Sequence, residues 1–451
     1  MLDWPSKGNE KKDAEGNGSP FSAPSISLPK GGGAIRGMGE KFAANPVTGT
    51  GSMSVPIATS PGRSGFGPPL SLSYDSGAGN GPFGFGWSLS LPAITRKTDK
   101  GLPRYWDVEE SDIFLLSGAE DLVPVLIDKS GKWEREPIPP RTVGSKTYTI
   151  QRYRPRIEGL FARIERWTNQ SDPVDTFWRS ISKDNITTWY GRREESRIAD
   201  PLDQTRIFSW LICQNHDDKG NVIVYAYKAE NSDNIDLSQA HERNRDGLRT
   251  ANHYLKRIRY GNQKPYLPDL SAAKSWPVPS GTEDPDGSKD WFFEVVFDYG
   301  EHDPDNPLPQ EAGKKWPVRK DPFSSYRAGF EVRTYRLCQR VLMFHHFSPI
   351  DAKNPYGQDA KEVGPNCLVR STDFSIRTKR TQPIPAIPST RSYFPLARTA
   401  TSGNRGATSP NRCRRWSSNT PSRRSTTRCG RSMRTAWRTC LRARWHSIPV
   451  G

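Results

Sequence analysis

The sequence predicts an all-β protein of long antiparallel strands and hairpins. Three observations carry that prediction. Apolar residues alternate with polar ones on both sides of Gly-, Asn- and Asp-rich turns, the spacing that buries one face of a strand. Stretches with a 3.6-residue period are scarce, the best being a weak one from Ser238 to Leu248. From Ile26 on, short apolar runs are punctuated by Gly, Pro, Asn and Asp, and the 14 Trp, 15 Tyr and 18 Phe of the 451 residues supply large pieces for packing a core.

Taken in order, residues 1–25 are rich in Gly, Lys, Asn, Glu and Ser and read as a disordered leader. The first clear hairpin has arms Pro69 to Asp75 and Phe83 to Leu91. Leu70, Leu72 and Tyr74 alternate on one arm, Trp87, Leu89 and Leu91 on the other. Gly84 and Gly86 in the second arm predict a bulge or a close backbone approach. Ile113 to Leu116 and Leu122 to Leu126 form the next pair. Arg206 to Ile212 and Val222 to Tyr227 form another, joined by a turn over Asp217 to Asn221. Tyr254 to Tyr260 and Trp291 to Tyr299 read as strands ending at glycines, and Val332 to Phe344 as one long alternating strand. Residues 262–290 hold five prolines and no strand pattern, so a surface loop or insertion is expected there. Ala352 to Gly364 reads as a second polar connection.

The formal charge of +17 has a single source. No acidic residue follows Asp373, and residues 377–451 contain 16 Arg and one Lys. The other 49 basic residues are matched by 49 acidic ones, so residues 1–376 are formally neutral. The region 376–451 also holds 21 Ser or Thr, Cys413, Cys429 and Cys440, and neither strand nor helix periodicity. It reads either as a disordered basic arm that grips phosphate or anionic lipid by charge, or as GC-rich DNA translated in a shifted frame. Nucleic acid is not expected as a partner except non-specifically through this tail. No apolar run approaches the roughly 18 residues of a membrane-spanning helix. The first residues lack the apolar stretch of a cleaved secretory signal.

Candidate chemistry is sparse. Cys213, Cys338 and Cys367 are widely spaced and fit buried thiols better than a zinc site or a disulfide framework. The glycine run from Lys30 to Glu40 fits neither phosphate-binding spacing. His345 and His346 are neighbours on a strand and face opposite sides, so they suit a satisfied strand-end pair, not one metal. The acids of Trp106 to Asp112 lack calcium-loop spacing and read as a solvated turn. Glu134 and Glu136 make the E-x-E pair of arginine-directed ADP-ribosyltransferases, without the upstream Arg and Ser-Thr-Ser strand that chemistry also needs. No residue is assigned a catalytic, cofactor-binding or metal role, no cofactor is expected, and the chain is not expected to be an enzyme.

Longer strings carry more information. Ile26 to Phe42, Gly49 to Pro56, Pro82 to Leu89, Ser111 to Asp121 and Arg197 to Pro201 resemble the virulence plasmid B (SpvB) family. So do Phe297 to His302, Asp321 to Ser324, Gly329 to Cys338 and Leu342 to Phe347. The resemblance covers residues 26–375 and makes them one SpvB-like β domain. It implies the non-catalytic head of a longer secreted protein, as in the B component of insecticidal toxin complexes (Tc toxins). There, a propeller docks onto the A component, and Rhs-like sheets form a shell that encloses the toxic part of the C component. In another branch the domain precedes an actin-modifying ADP-ribosyltransferase. The implied partners are Tc-type C and A components, reached through regions downstream of this chain, which would then be a truncated fragment. The implied location is extracellular, by a route without a cleaved signal, after a cytoplasmic stage.

Overall fold

The computed structural model describes residues 41–45, 49–117, 120–266, 291–347 and 366–375, with short stretches at 378–379, 382–383, 387–394 and 414–416. The expected leader, the Lys30 to Glu40 run, the connection over 352–364 and most of the 262–290 loop lie outside them.

Strands β1 (Lys41–Asn45), β2 (Thr50–Pro56) and β3 (Ser71–Asp75) pair antiparallel in sequence order. A two-residue pair, β4 (Asn80–Gly81) with β5 (Gly84–Phe85), makes the turn into β6 (Trp87–Leu89). β6 returns to β3 with Leu72 opposite Leu89 and Tyr74 opposite Trp87, the hairpin expected from the alternation. The glycine expectation also holds. Gly86 has φ +78°, and a Cβ there would lie 2.5 Å from Tyr74 Cε2 and 2.9 Å from the Asp75 carbonyl oxygen. Only a residue without a side chain permits that approach.

Next come β7 (Ala93–Arg96), β8 (Phe114–Leu116) and β9 (Glu120–Pro124), then an exposed hairpin, β10 (Leu126–Lys129) with β11 (Lys132–Arg135). β12 (Arg141–Val143), β13 (Lys146–Pro155), β14 (Arg163–Asn169), β15 (Thr176–Ile181) and β16 (Thr187–Tyr190) follow as a meander. β17 (Arg197–Asp200) leads into the 14-residue β18 (Asp203–His216). The pairings β13–β14–β15–β16–β18–β7–β8–β9 return to β13, so eight antiparallel strands close into a barrel. Its interior is filled by side chains, as expected for this strand number. Phe114 on β8 and Trp178 on β15 sit on opposite sides of the ring, yet their ring centroids are 4.9 Å apart. Trp210 and Tyr153 complete the cluster at 5.7 and 5.9 Å from Phe114. Each such aromatic pair contributes about 0.5–1.5 kcal/mol beyond its area burial. The outer face carries a smaller apolar layer of Tyr148, Ile150, Trp167, Phe177 and Trp189.

From β18 the sheet continues as an open arm. β19 (Val222–Ala229) is followed by a four-residue helix α1 (Ala240–Arg243), all that forms of the weak helical period, and then β20 (His253–Asn262) and β21 (Trp291–Asp298). β22 (Phe323–Ser325) pairs with β23 (Val332–Thr334), while β24 (Arg340–His345) and β25 (Cys367–Ser375) extend the arm. β26 (Thr378–Lys379) pairs with β27 (Gln382–Pro383), β28 (Ile387–Phe394) pairs with β25, and β29 (Arg414–Trp416) pairs with β28. The sheet therefore runs on past Ser375 into stretches of the basic tail.

One sequence expectation fails here. Val332 to Phe344 is not one strand. Between β23 and β24 the chain leaves the ladder because Arg336, fully buried, reaches Glu230 (Nε to Oε2 2.9 Å), while the Cys338 N–H donates to the Pro82 carbonyl at 2.8 Å. That second bond, with Phe83 against Phe297 (6.4 Å) and Phe374 (6.0 Å), seats the N-terminal sheet on the arm. The core is continuous from Ile94 and Trp210 in the barrel to Tyr260, Phe297 and Met343 in the arm.

Candidate functional site

The residues singled out in the sequence sit apart. His345 bonds Ser60 Oγ at 2.7 Å, tying the N-terminal sheet to the arm. His346 bonds Glu294 Oε2 at 3.0 Å on the opposite face. The two therefore point away from each other, as their adjacency on a strand requires. Glu134 is exposed beside Lys129 on the β10–β11 hairpin, and Glu136 is paired to Arg152 at 2.9 Å. Cys213 and Cys338 are buried, and Cys367 is half-buried.

The acidic turn from Trp106 to Asp112 corrects its reading. It is not simply solvated. Asp107 and Asp112 hold Arg96, whose side chain is fully buried inside the barrel, at 2.6 and 2.8 Å. Arg166, on the interior face of β14, reaches Asp107 at 2.5 Å. The turn plugs one end of the barrel with two carboxylates facing two guanidiniums. Burial opposes ionisation of Asp107, but Arg96 and Arg166 outweigh it and hold its carboxyl below the usual range.

Among the described residues, one cluster of reactive groups is built around Lys256, which no motif or spacing marks in the sequence. The β19–β20 register skips from Ala226 opposite Arg257 to Tyr227 opposite Leu255, leaving Lys256 as the extra residue of a bulge. A bulge re-aims its side chain. Here Lys256 turns toward the segment after β21 and donates to the Phe297 carbonyl (3.1 Å), His302 Nε2 (2.8 Å) and Glu301 Oε1. The side chains of Lys256, Glu301 and His302 are 5%, 0% and 0% exposed. The turn holds itself in shape. Asp298 Oδ1 accepts from the Gly300 N–H at 2.7 Å, Glu301 Oε2 accepts from the Tyr299 N–H at 2.8 Å, and Arg340 Nε donates to Asp298 Oδ2 at 2.6 Å. His302 Nδ1 lies 2.9 Å from the Leu308 carbonyl, which can only accept. The proton therefore sits on Nδ1, and Nε2 offers its lone pair to Lys256.

Burial drives all three groups toward neutrality. It lowers the Lys256 pKa despite Glu301, raises that of Glu301 despite Lys256, and lowers that of His302 to about 4. One ligand atom each from Asp298, Glu301 and His302 lies within 4.8 Å of the others, a spacing that a metal accepts. Lys256 Nζ bonds two of the three, Glu301 and His302, while Asp298 is paired with Arg340. An amine, a carboxyl and an imidazole meet here, but they are sealed from any substrate arriving from solvent. A second buried group, Glu294 with Arg257 (2.9 Å) and Arg259 (3.1 Å), is likewise internally paired. An open groove of about 620 Å³ lies beside Asp200, His241, Tyr326 and Phe330. Its charges are spoken for: Arg245 pairs with Glu331 at 2.8 Å and Asp200 with Arg206 at 2.6 Å. Among the described residues no helix is long and apolar enough to cross a membrane.

Residues 45–347 match the family model described as Salmonella virulence plasmid 65kDa B protein. The chain is 39% identical over 327 residues to a mono(ADP-ribosyl)transferase SpvB of Salmonella choleraesuis, covering 71% of this chain and 51% of that protein. It thus spans about half the length of the curated relatives it matches. Among solved structures, the N-terminal domain of effector protein SpvB from Salmonella typhimurium aligns with a TM-score of 0.59 at 33% identity, over 75% of this chain and 100% of that one. The crystal structure of TcdB2-TccC3 aligns with a TM-score of 0.63 at 34% identity, over 83% of this chain and 17% of that one.

Proposed function

The chain belongs to the SpvB family, and on that premise we propose that it is a non-catalytic structural and assembly domain of a secreted toxin, one that helps enclose and deliver a toxic cargo. The observation that carries this reading is the double structural match. The same fold accounts for the whole of an effector's N-terminal domain and for a part of a two-component toxin assembly. The interior chemistry supports it. The Lys256, Glu294 and Arg96 clusters are closed networks, and they serve to fix strands and turns in place. The proposed role is burial: a rigid sheet that keeps a partly unfolded cargo from solvent and proteases. The proposed partners are a C-type component and, through the rest of a longer protein, an A-type component. Secretion is part of this reading, since the matching proteins include an effector and a toxin component.

The test is complementation. The chain is co-expressed with a TcdB2-like B component lacking its own N-terminal domain and with the matching C component. Association on size exclusion, together with protease protection of the cargo, is expected. Loss of both would overturn the assignment. A second reading is favoured by the names of the curated relatives: the domain carries an ADP-ribosyltransferase encoded downstream. Reading the coding DNA onward in all frames and assaying the longer product for NAD-dependent labelling separates the two.

A further inference from the structure

We infer that Lys256 and Glu301 form an intramolecular amide, a self-made cross-link between strand β20 and the turn that follows β21. The geometry supplies each element such a reaction needs. The nucleophile and the electrophile are already in contact, since Lys256 Nζ donates to Glu301 Oε1. Both are enclosed: their side chains are 5% and 0% exposed, and Tyr254, Tyr299 and Trp316 pack together beside the turn at centroid distances of 5.4–5.5 Å. A base is in place. His302 Nε2 is 2.8 Å from Nζ with its lone pair free to take a proton, because its other nitrogen is committed to the Leu308 carbonyl. A donor to the developing oxyanion is in place too, the Tyr299 N–H at 2.8 Å from Glu301 Oε2. Reactants held this way gain the large effective concentration of an intramolecular step.

The chemistry balances without a co-reactant. His302 Nε2 takes a proton from the Lys256 ammonium and passes it to Glu301 Oε1, and the freed amine attacks Cδ of the neutral carboxyl group. The new C–N bond gives a tetrahedral centre whose one negative oxygen is Oε2, facing the Tyr299 N–H. Oε1, already carrying one proton, takes a second from the attached amine and leaves as water as the carbonyl re-forms. An ammonium and a carboxylate become one amide and one water, with no change of oxidation state. Burial favours this direction, because it disfavours both charges of the starting pair.

The product strands nothing. The amide N–H can still donate to the Phe297 carbonyl or to His302 Nε2, and its carbonyl oxygen keeps the Tyr299 N–H. Glu311, 3.9 Å from Nζ, keeps its bond to Lys228 at 2.7 Å. Of the other charges facing this site, Asp298 and Arg340 are paired with each other, and Arg257 is paired with Glu294. The link would close a loop of 45 residues that includes the proline-rich stretch.

The test is the intact mass of the purified full chain under denaturing conditions, followed by tryptic peptide mapping. The expected mass is lower than that of the sequence by one water. Trypsin should then fail to cut after Lys256, and one branched peptide should join the two segments. Glu301→Gln should yield the same final mass as the cross-linked wild type, because the amine then displaces ammonia. Lys256→Met should show the unmodified mass whether or not it folds. His302→Asn should slow the conversion at least tenfold in a time course after refolding. A wild-type mass equal to the sequence mass, with normal cleavage after Lys256, overturns the inference. So does a lost water that maps to any other pair.

Discussion

Replacing Arg96 with Met tests whether the acidic turn is held as a plug by charge. The guanidinium donates from Nε to the Ile207 carbonyl at 2.7 Å and from its terminal nitrogens to Asp107 at 2.6 and 2.8 Å and Asp112 at 2.8 Å. It also lies over the rings of Tyr105, Phe114 and Trp210 at 4.6, 5.2 and 5.4 Å. Methionine fills much of the same volume but leaves two carboxylates and a carbonyl facing it. Removing one partner from a buried ion pair costs about 3–5 kcal/mol. The lower end applies here. Asp112 keeps the Arg104 and Tyr105 N–H groups at 2.9 Å, and Asp107 keeps Arg166. With a urea slope of about 2 kcal/mol per molar, the unfolding midpoint followed by Trp fluorescence should fall by roughly 1.5 M. Adding Asp112→Asn should recover part of that loss, giving a coupling of about 1–2 kcal/mol in a double-mutant cycle. A midpoint shift below roughly 0.3 M in the single variant would mean that apolar contacts hold the turn and the argument from charge is wrong.

Three further expectations can be checked with the same assay. Burial opposes ionisation of Glu294, but His346, Arg259 and Arg257 outweigh it and hold it at about 2; its contribution is complete above about pH 4.5 and is lost as pH falls toward 2. Burial lowers His216 and His345 to about 4, so their contribution is complete above about pH 6.5 and is lost as pH falls toward 4. Midpoints should therefore drop between pH 7 and 4.5 and again below it, and His345→Gln should flatten the first decline; a level profile from pH 7 to 4.5 would contradict this. Glu230→Gln leaves the fully buried Arg336 charge without its carboxylate and should destabilise by about 3 kcal/mol, detected as a lower urea midpoint. Gly86→Ala meets both the positive φ and the Tyr74 ring and should cost about 2 kcal/mol, whereas an unchanged midpoint would show that the β3–β6 hairpin can relax.

Local pattern made the hairpins legible. Alternation in Leu70 to Tyr74 and in Trp87 to Leu91 gave the pairing of β3 with β6, and the Asp217 to Asn221 turn gave that of β18 with β19. Closure of the barrel was not legible. It rests on Thr95 meeting Ser209 and Tyr153 meeting Pro124, contacts between distant segments that no period in either segment encodes. The Val332 to Phe344 run misled because alternation reports which side is buried, not whether the ladder is continuous, and the buried Arg336–Glu230 pair interrupts it. The string from Phe297 to His302 was visible as a family resemblance. Its partner was not: Lys256 lies in an ordinary alternating basic strand, and only the bulge turns it inward.

β18 bonds to β16 and β17 along one edge and to β7 and β19 along the other, so the barrel and the arm have one strand in common. Neither part can open at that strand without disturbing the other. Amide protons along Ile207 to His216 should therefore exchange with solvent only through global unfolding, among the slowest in the molecule. Force applied to the chain from either end would meet this strand as the point where resistance is concentrated.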